Sequence, residues 1–107
     1  MTDTTQRSYK VGDFLTEHLV TDSIGYEVVG TTPQGIKVRR TAAGDVVATT
    51  EAAYPVVYTE IVSDPDGDTR LLRRRKDGTF RTWARGSALV PARMIDGKPV
   101  TRTDYSF

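Results

Sequence analysis

Apolar and polar residues alternate along this chain with a period of two rather than 3.6, and Gly, Pro and Asp interrupt the pattern at short intervals. That rhythm predicts short antiparallel strands joined by tight turns. The clearest case is Ile36-Lys37-Val38-Arg39, which sends Ile36 and Val38 to a core and Lys37 and Arg39 to solvent. Thr31-Thr32-Pro33-Gln34-Gly35 supplies the turn before it, and residues 26–29 supply the partner strand, with Glu27 outward. Upstream, residues 9–16 read as a strand bent or bulged at Gly12-Asp13, and residues 17–25 as a loop. Downstream, residues 42–45 read as a turn and 46–50 as a short strand. Ala52-Ala53 is ambiguous and fits a turn of helix. Residues 54–62 read as a longer strand with Pro55 at its start or on an edge, because proline cannot donate to a ladder. Residues 63–68 form a loop, and short strands fit 88–90 and 100–102.

Five or six such strands predict an all-β domain, a small strongly bent sheet or an SH3-like barrel, with an OB-like barrel as the other architecture. At 107 residues the chain has room for one domain. Residues 1–8 are polar and expected to be a disordered tail, which leaves 9–107 as the domain. No window approaches the roughly 20 apolar residues of a membrane span, and residues 1–8 hold no apolar core of a signal peptide. A cytoplasmic protein without a membrane partner is therefore expected. With no cysteine, disulfides and thiolate metal sites are excluded.

The net charge of +1 hides a division. Residues 1–69 carry five Lys/Arg against eleven Asp/Glu, whereas residues 70–107 carry ten against three. Such a split points to an anionic partner, unless the two halves lie side by side and neutralise each other. The basic residues concentrate in Leu71-Leu72-Arg73-Arg74-Arg75-Lys76-Asp77-Gly78-Thr79-Phe80-Arg81-Thr82-Trp83, around one Asp-Gly and beside the only tryptophan. Asp-Gly between strand-like runs predicts a two-residue type I′ hairpin. Arg74 then faces Arg81 and Leu72 faces Trp83, while a three-residue loop with a Gly bulge re-sorts the partners. Arginines opposite one another destabilise a sheet unless their tips reach water or an anion lies between them. In the functional reading Arg73, Arg74, Arg75, Lys76, Arg81, Lys37 and Arg39 meet phosphates and Trp83 stacks a base, a binding site for nucleic acid or a nucleotide. In the structural reading Trp83 and Phe80 pack in the core or at an edge, and the arginine stems lie over the sheet with their heads in solvent.

Other chemistry is thin. Asp64, Asp66 and Asp68 with Gly67 resemble part of a calcium loop, but the glycine falls too early and Arg75 stands where the bidentate Glu is needed. His18 is the only histidine, so no two-histidine metal site exists, and a lone loop histidine reads as a surface residue. No nucleophile elbow, P-loop or dinucleotide fingerprint occurs. A non-enzymatic protein without catalytic residues, metal or cofactor is expected.

Tyr9-Lys10-Val11-Gly12-Asp13, the hairpin Tyr26-Glu27-Val28-Val29 with Gly35-Ile36-Lys37-Val38-Arg39, the basic run from Leu72 to Phe80 and the ending Asp104-Tyr105-Ser106-Phe107 follow in that order. Together they resemble small uncharacterised accessory proteins of bacteriophages that infect actinobacteria. The resemblance implies a phage accessory protein acting in the cytoplasm of an infected bacterium, where it binds and disables a host or anti-phage defence component or sequesters a nucleotide signal. The alternative function is accordingly an inhibitory protein–protein module with Tyr54, Tyr58, Tyr105 and Phe107 as aromatic anchors. An edge strand at residues 56–62 is a candidate surface for a homo-oligomer.

Overall fold

The computed structural model describes residues 9–19, 22–51, 53, 55–83 and 86–104. The expected tail at 1–8, the anchors Tyr54, Tyr105 and Phe107, and Ala52 of the ambiguous pair lie outside the described residues. The fold is all-β. Among the described residues nine strands occur: β1 (Phe14–His18), β2 (Ser23–Thr32), β3 (Gly35–Arg40), β4 (Ala42–Thr49), β5 (Val56–Val62), β6 (Thr69–Arg73), β7 (Val90–Pro91), β8 (Arg93–Ile95) and β9 (Lys98–Asp104). They form two antiparallel sheets, in the orders β6-β3-β2-β1-β7 and β4-β5-β9-β8, which do not close into one barrel.

The period-two pattern acts most directly in the first sheet. The pairs Leu15↔Tyr26, Val28↔Val38 and Ile36↔Leu72 put six buried side chains on one face. Phe80 and Leu89 cover that face, joined by a hydrogen bond from the Leu89 amide to the Phe80 carbonyl (2.8 Å). Phe80 is 1% exposed, a burial that stabilises by about 1.5–3 kcal/mol. Tyr9 packs against its ring at 5.9 Å between centroids. The second sheet begins at Ala42, with Thr41 alone connecting it to β3. Its Ile61 packs on Gly25 of β2, where a Cβ would collide with the Thr41 hydroxyl. The Arg102 amide donates to Ser23 Oγ (2.7 Å) and ties β9 to the start of β2.

Several expectations are corrected. Residues 17–18 and 23–25 are not loop: Glu17 and His18 continue β1, Ser23 to Gly25 begin β2, and the Leu19 amide donates to the Asp22 carbonyl (2.7 Å). Glu17 misleads because it is an acid at an inward position. Residues 42–45 are not a turn, since β4 runs through them and takes up Gly44-Asp45 as a bulge between Ala43 and Val46. Residues 56–62 are not an edge: β5 pairs with β4 on one side and β9 on the other, so it offers no free ladder for oligomerisation. The first strand starts only at Phe14, after a turn closed by the Asp13 amide on the Lys10 carbonyl, with Gly12 at φ 98°.

The largest correction concerns residues 71–84. β6 pairs with β3, not with the chain that follows it. The Asp77-Gly78 turn is the three-residue, bulged form: the Gly78 amide donates to the Arg75 carbonyl, and the Arg75 amide to the Thr79 carbonyl (both 2.9 Å). β6 ends at Arg73 and no strand follows the turn, since residues 79–83 are irregular. The two-residue register fails because it sends Phe80 to the face opposite Leu72, whereas burial of both on one side completes the core.

Candidate nucleic-acid interface

The departure of the chain at Phe80 decides where the basic residues sit. Arg74 stays tied to the neighbouring hairpin through its amide, which donates to the Gln34 carbonyl (2.8 Å), and its guanidinium lies 5.4 Å from the centroid of the Phe80 ring. Arg73, Arg74, Arg75 and Lys76 therefore follow the corner where β6 runs off the sheet, and all four are exposed. This corner parts two shallow grooves. One, of about 310 Å³, is lined by Arg70, Leu71, Arg73, Arg74, Arg75, Arg81, Thr82 and Trp83. The other, of about 400 Å³, is lined by Pro33, Gln34 and residues 73–76.

The acid inside the basic stretch is directed away from these cations. Asp77 Oδ1 accepts from the Thr79 amide (3.0 Å) and the Thr79 hydroxyl (2.6 Å), and Oδ2 lies 3.7 Å from Arg81 Nη2. The Thr79 bonds hold its carboxyl below the usual carboxylate range, so it stays ionised and engaged by its own turn. Among the described residues, the side chains of Arg73, Arg75 and Lys76 meet no acid: the three ion pairs are Arg39–Glu27, Arg81–Asp77 and Arg102–Asp104.

The remaining expected site residues divide. Arg81 clamps the loop, with Nη1 donating to the Gly86 carbonyl (2.7 Å) and Nε reaching Thr79 Oγ (3.5 Å). Arg39 is engaged by Glu27 (3.3 Å), and its Nε is buried without a partner. Lys37 is exposed on β3 opposite Leu71, outside both groove linings. Trp83 is 56% exposed, so it is not core packing. Its indole lies against Gly86, where a Cβ would come within 2.5 Å of the ring nitrogen; only a residue without a side chain lets the ring lie that close to the chain.

The sequence pattern missed what holds this loop. Glu17 is 3% exposed; its Oε2 accepts from the Thr82 hydroxyl (3.0 Å) and its Oε1 from the Tyr26 hydroxyl (3.5 Å). Arg70 Nη1 donates to the Thr82 carbonyl (3.0 Å). Thr82 is thus gripped by side chain and backbone immediately before Trp83. The available signal was the strand alternation, which places Glu17 on the same face as Leu15.

Elsewhere the chemistry is bland. The Asp64–Asp68 segment is a turn in which Asp64 Oδ1 accepts from the Asp66 amide (3.0 Å), and no three metal-ligating side chains gather among the described residues. His18 is exposed at the end of β1. Tyr58 is half-buried beneath Arg93, whose Nη1 donates to its hydroxyl (3.1 Å). An apolar pocket of about 450 Å³ is lined by Tyr9, Phe14, Pro91, Met94 and Pro99 among others, with Asp13 and no Lys or Arg in the lining. No helix among the described residues is long and apolar enough to cross a membrane. Comparison with known proteins finds no matching family model, no matching curated protein and no matching solved structure.

Proposed function

We propose that this protein is a non-enzymatic module that binds single-stranded nucleic acid over the corner formed by residues 73–76 and Trp83. One observation carries the reading: Arg73, Arg75 and Lys76 are exposed and meet no acid among the described residues, beside a groove that also holds an exposed indole. Cations at strand-like spacing suit successive phosphates, and an indole with an open face suits an unpaired base. The exposed Leu71 adds apolar surface for a sugar or base in the same groove. A duplex offers no unstacked base, so single strands are the preferred ligand. The resemblance to phage accessory proteins supports a bacterial cytoplasm as the compartment where such a strand is met.

The test is fluorescence anisotropy with a labelled single-stranded oligonucleotide and the same sequence as a duplex. The single strand binds more tightly, and Trp83→Ala weakens it by about 1–3 kcal/mol, the usual worth of one stacked base. The double variant Arg73→Ala/Arg75→Ala weakens it across all sequences alike. No binding of DNA or RNA at low salt overturns the reading.

A further inference from the structure

A third groove opens on the other side of Arg70, about 610 Å³ in volume and lined by Tyr26, Arg40, Asp68, Thr69 and Arg70. Register explains why two arginines converge there. Arg70 pairs with Val38, two residues before Arg40 on the same strand, so both guanidiniums leave the same face of the β3–β6 ladder as diagonal neighbours. Such neighbours stand roughly 7–8 Å apart at the backbone, a span that long side chains close easily. Tyr26, paired with Arg40, completes the floor. Two like charges in this relation repel unless an anion joins them. Neither arginine forms an ion pair with a described acid, although Asp68 lines the same groove and its carbonyl accepts from the Arg40 amide (2.8 Å). Arg70 is held by its bond to the Thr82 carbonyl, which occupies one nitrogen and leaves other donors of the fork available.

We propose that this groove seats a terminal phosphate of the bound strand, gripped by Arg40 and Arg70. The inference rests on the nucleic-acid reading above and adds recognition of a strand end to it. Arg70 lines this groove and the groove of Trp83, so a phosphate here puts the first base within reach of the indole. Planar guanidiniums suit a phosphate monoester, which presents more oxygens than an internal diester. Asp68 in the lining and the Glu17 carboxylate behind Tyr26 offset much of the charge of the two arginines, which favours a monophosphate over a triphosphate. Burial and the Glu17 carboxylate push the Tyr26 phenol above its ordinary value, so no phenolate competes for the arginines at neutral pH.

The experiment compares one short single strand carrying a 5′-hydroxyl, a 5′-phosphate, a 5′-triphosphate or a 3′-phosphate, with the label at the unmodified end. One monophosphorylated form binds roughly tenfold more tightly than the unphosphorylated strand, the effect of one well-made charge-assisted contact. Arg40→Ala brings that form down to the affinity of the unphosphorylated strand, and Arg40→Lys keeps part of the preference. The Arg40 side chain is exposed, and circular dichroism with thermal melting confirms that both variants fold. Equal binding of all four strands, with Arg73 and Arg75 still required, overturns this inference and leaves the interface standing. Preference for the triphosphate, or a monophosphate preference that survives Arg40→Ala, also overturns it. Failure of every strand to bind overturns the interface and this inference together.

Discussion

Glu17 carries a carboxylate into the face that also buries Leu15 and Tyr26, and two hydroxyls hold it there. A buried acid with hydrogen-bond donors on both oxygens is tolerated, whereas the same acid deprived of them is costly. Tyr26 is therefore more than packing. Its phenol lies above the ordinary value of 10.0, chiefly through burial and then through the Glu17 charge, while Arg40 and Arg70 pull it back. The neutral phenol is the form that the fold favours. An unfolded tyrosine releases its proton at lower pH, so the contribution of Tyr26 is complete below about pH 10 and declines as pH rises through and beyond that value. Tyr26→Phe should lower stability at neutral pH by about 1–2 kcal/mol through the lost bond to Glu17. The two stability curves should then converge in alkali, as the wild type loses what the variant never had. Urea denaturation across a pH series checks this, and curves that stay parallel refute it.

At the scale of elements, Asp-Gly occurs three times, as Asp66-Gly67, Asp77-Gly78 and Asp96-Gly97, and only the last forms the two-residue left-handed turn. There Ile95 pairs with Lys98, and both central residues have positive φ, 52° and 76°. The dipeptide permits this turn; what flanks it decides. After Asp77-Gly78 the chain must deliver Phe80 to the core, which a ribbon in that register cannot do. The β2–β3 hairpin was legible because its alternation and its turn residues agree. The β1–β2 hairpin was hidden by one inward acid, and the start of β4 by a Gly-Asp bulge that resembles a turn. For the candidate site, the basic cluster and Trp83 were visible in the linear run. Which cations are engaged was not, because the partners Glu27 and Gly86 and the backbone of Gln34 are set by tertiary contacts. The positive φ at Gly97 gives this reasoning a test. A Cβ there meets nothing within 4 Å, so Gly97→Ala adds only backbone strain and should destabilise by about 1–2 kcal/mol in urea denaturation. Asp96→Asn, which tolerates the left-handed region, should change stability little. Equal stability of Gly97→Ala and wild type would show that the turn adopts another form.

At the scale of the whole molecule, no ion pair between described residues joins the acidic first part to the basic last part. Of the three ion pairs among the described residues, Arg81–Asp77 and Arg102–Asp104 are local, and Arg39–Glu27 joins neighbouring strands within the acidic part. Arg73, Arg75 and Lys76 are exposed and meet no described acid, and their effect on binding should be read through salt. Each phosphate neutralised on a single strand contributes a slope of about −0.7 in log affinity against log salt, so Arg73, Arg75 and Lys76 together predict a slope near −2. Arg73→Ala should reduce the magnitude of that slope by about 0.7. Trp83→Ala should weaken binding at every salt concentration and leave the slope unchanged, since stacking on an indole releases no counterion. Anisotropy titrations of the three proteins at several salt concentrations separate the two contributions. A slope that Trp83→Ala alters and Arg73→Ala does not would mean that the tryptophan supports the fold of the corner, and that the phosphates lie elsewhere.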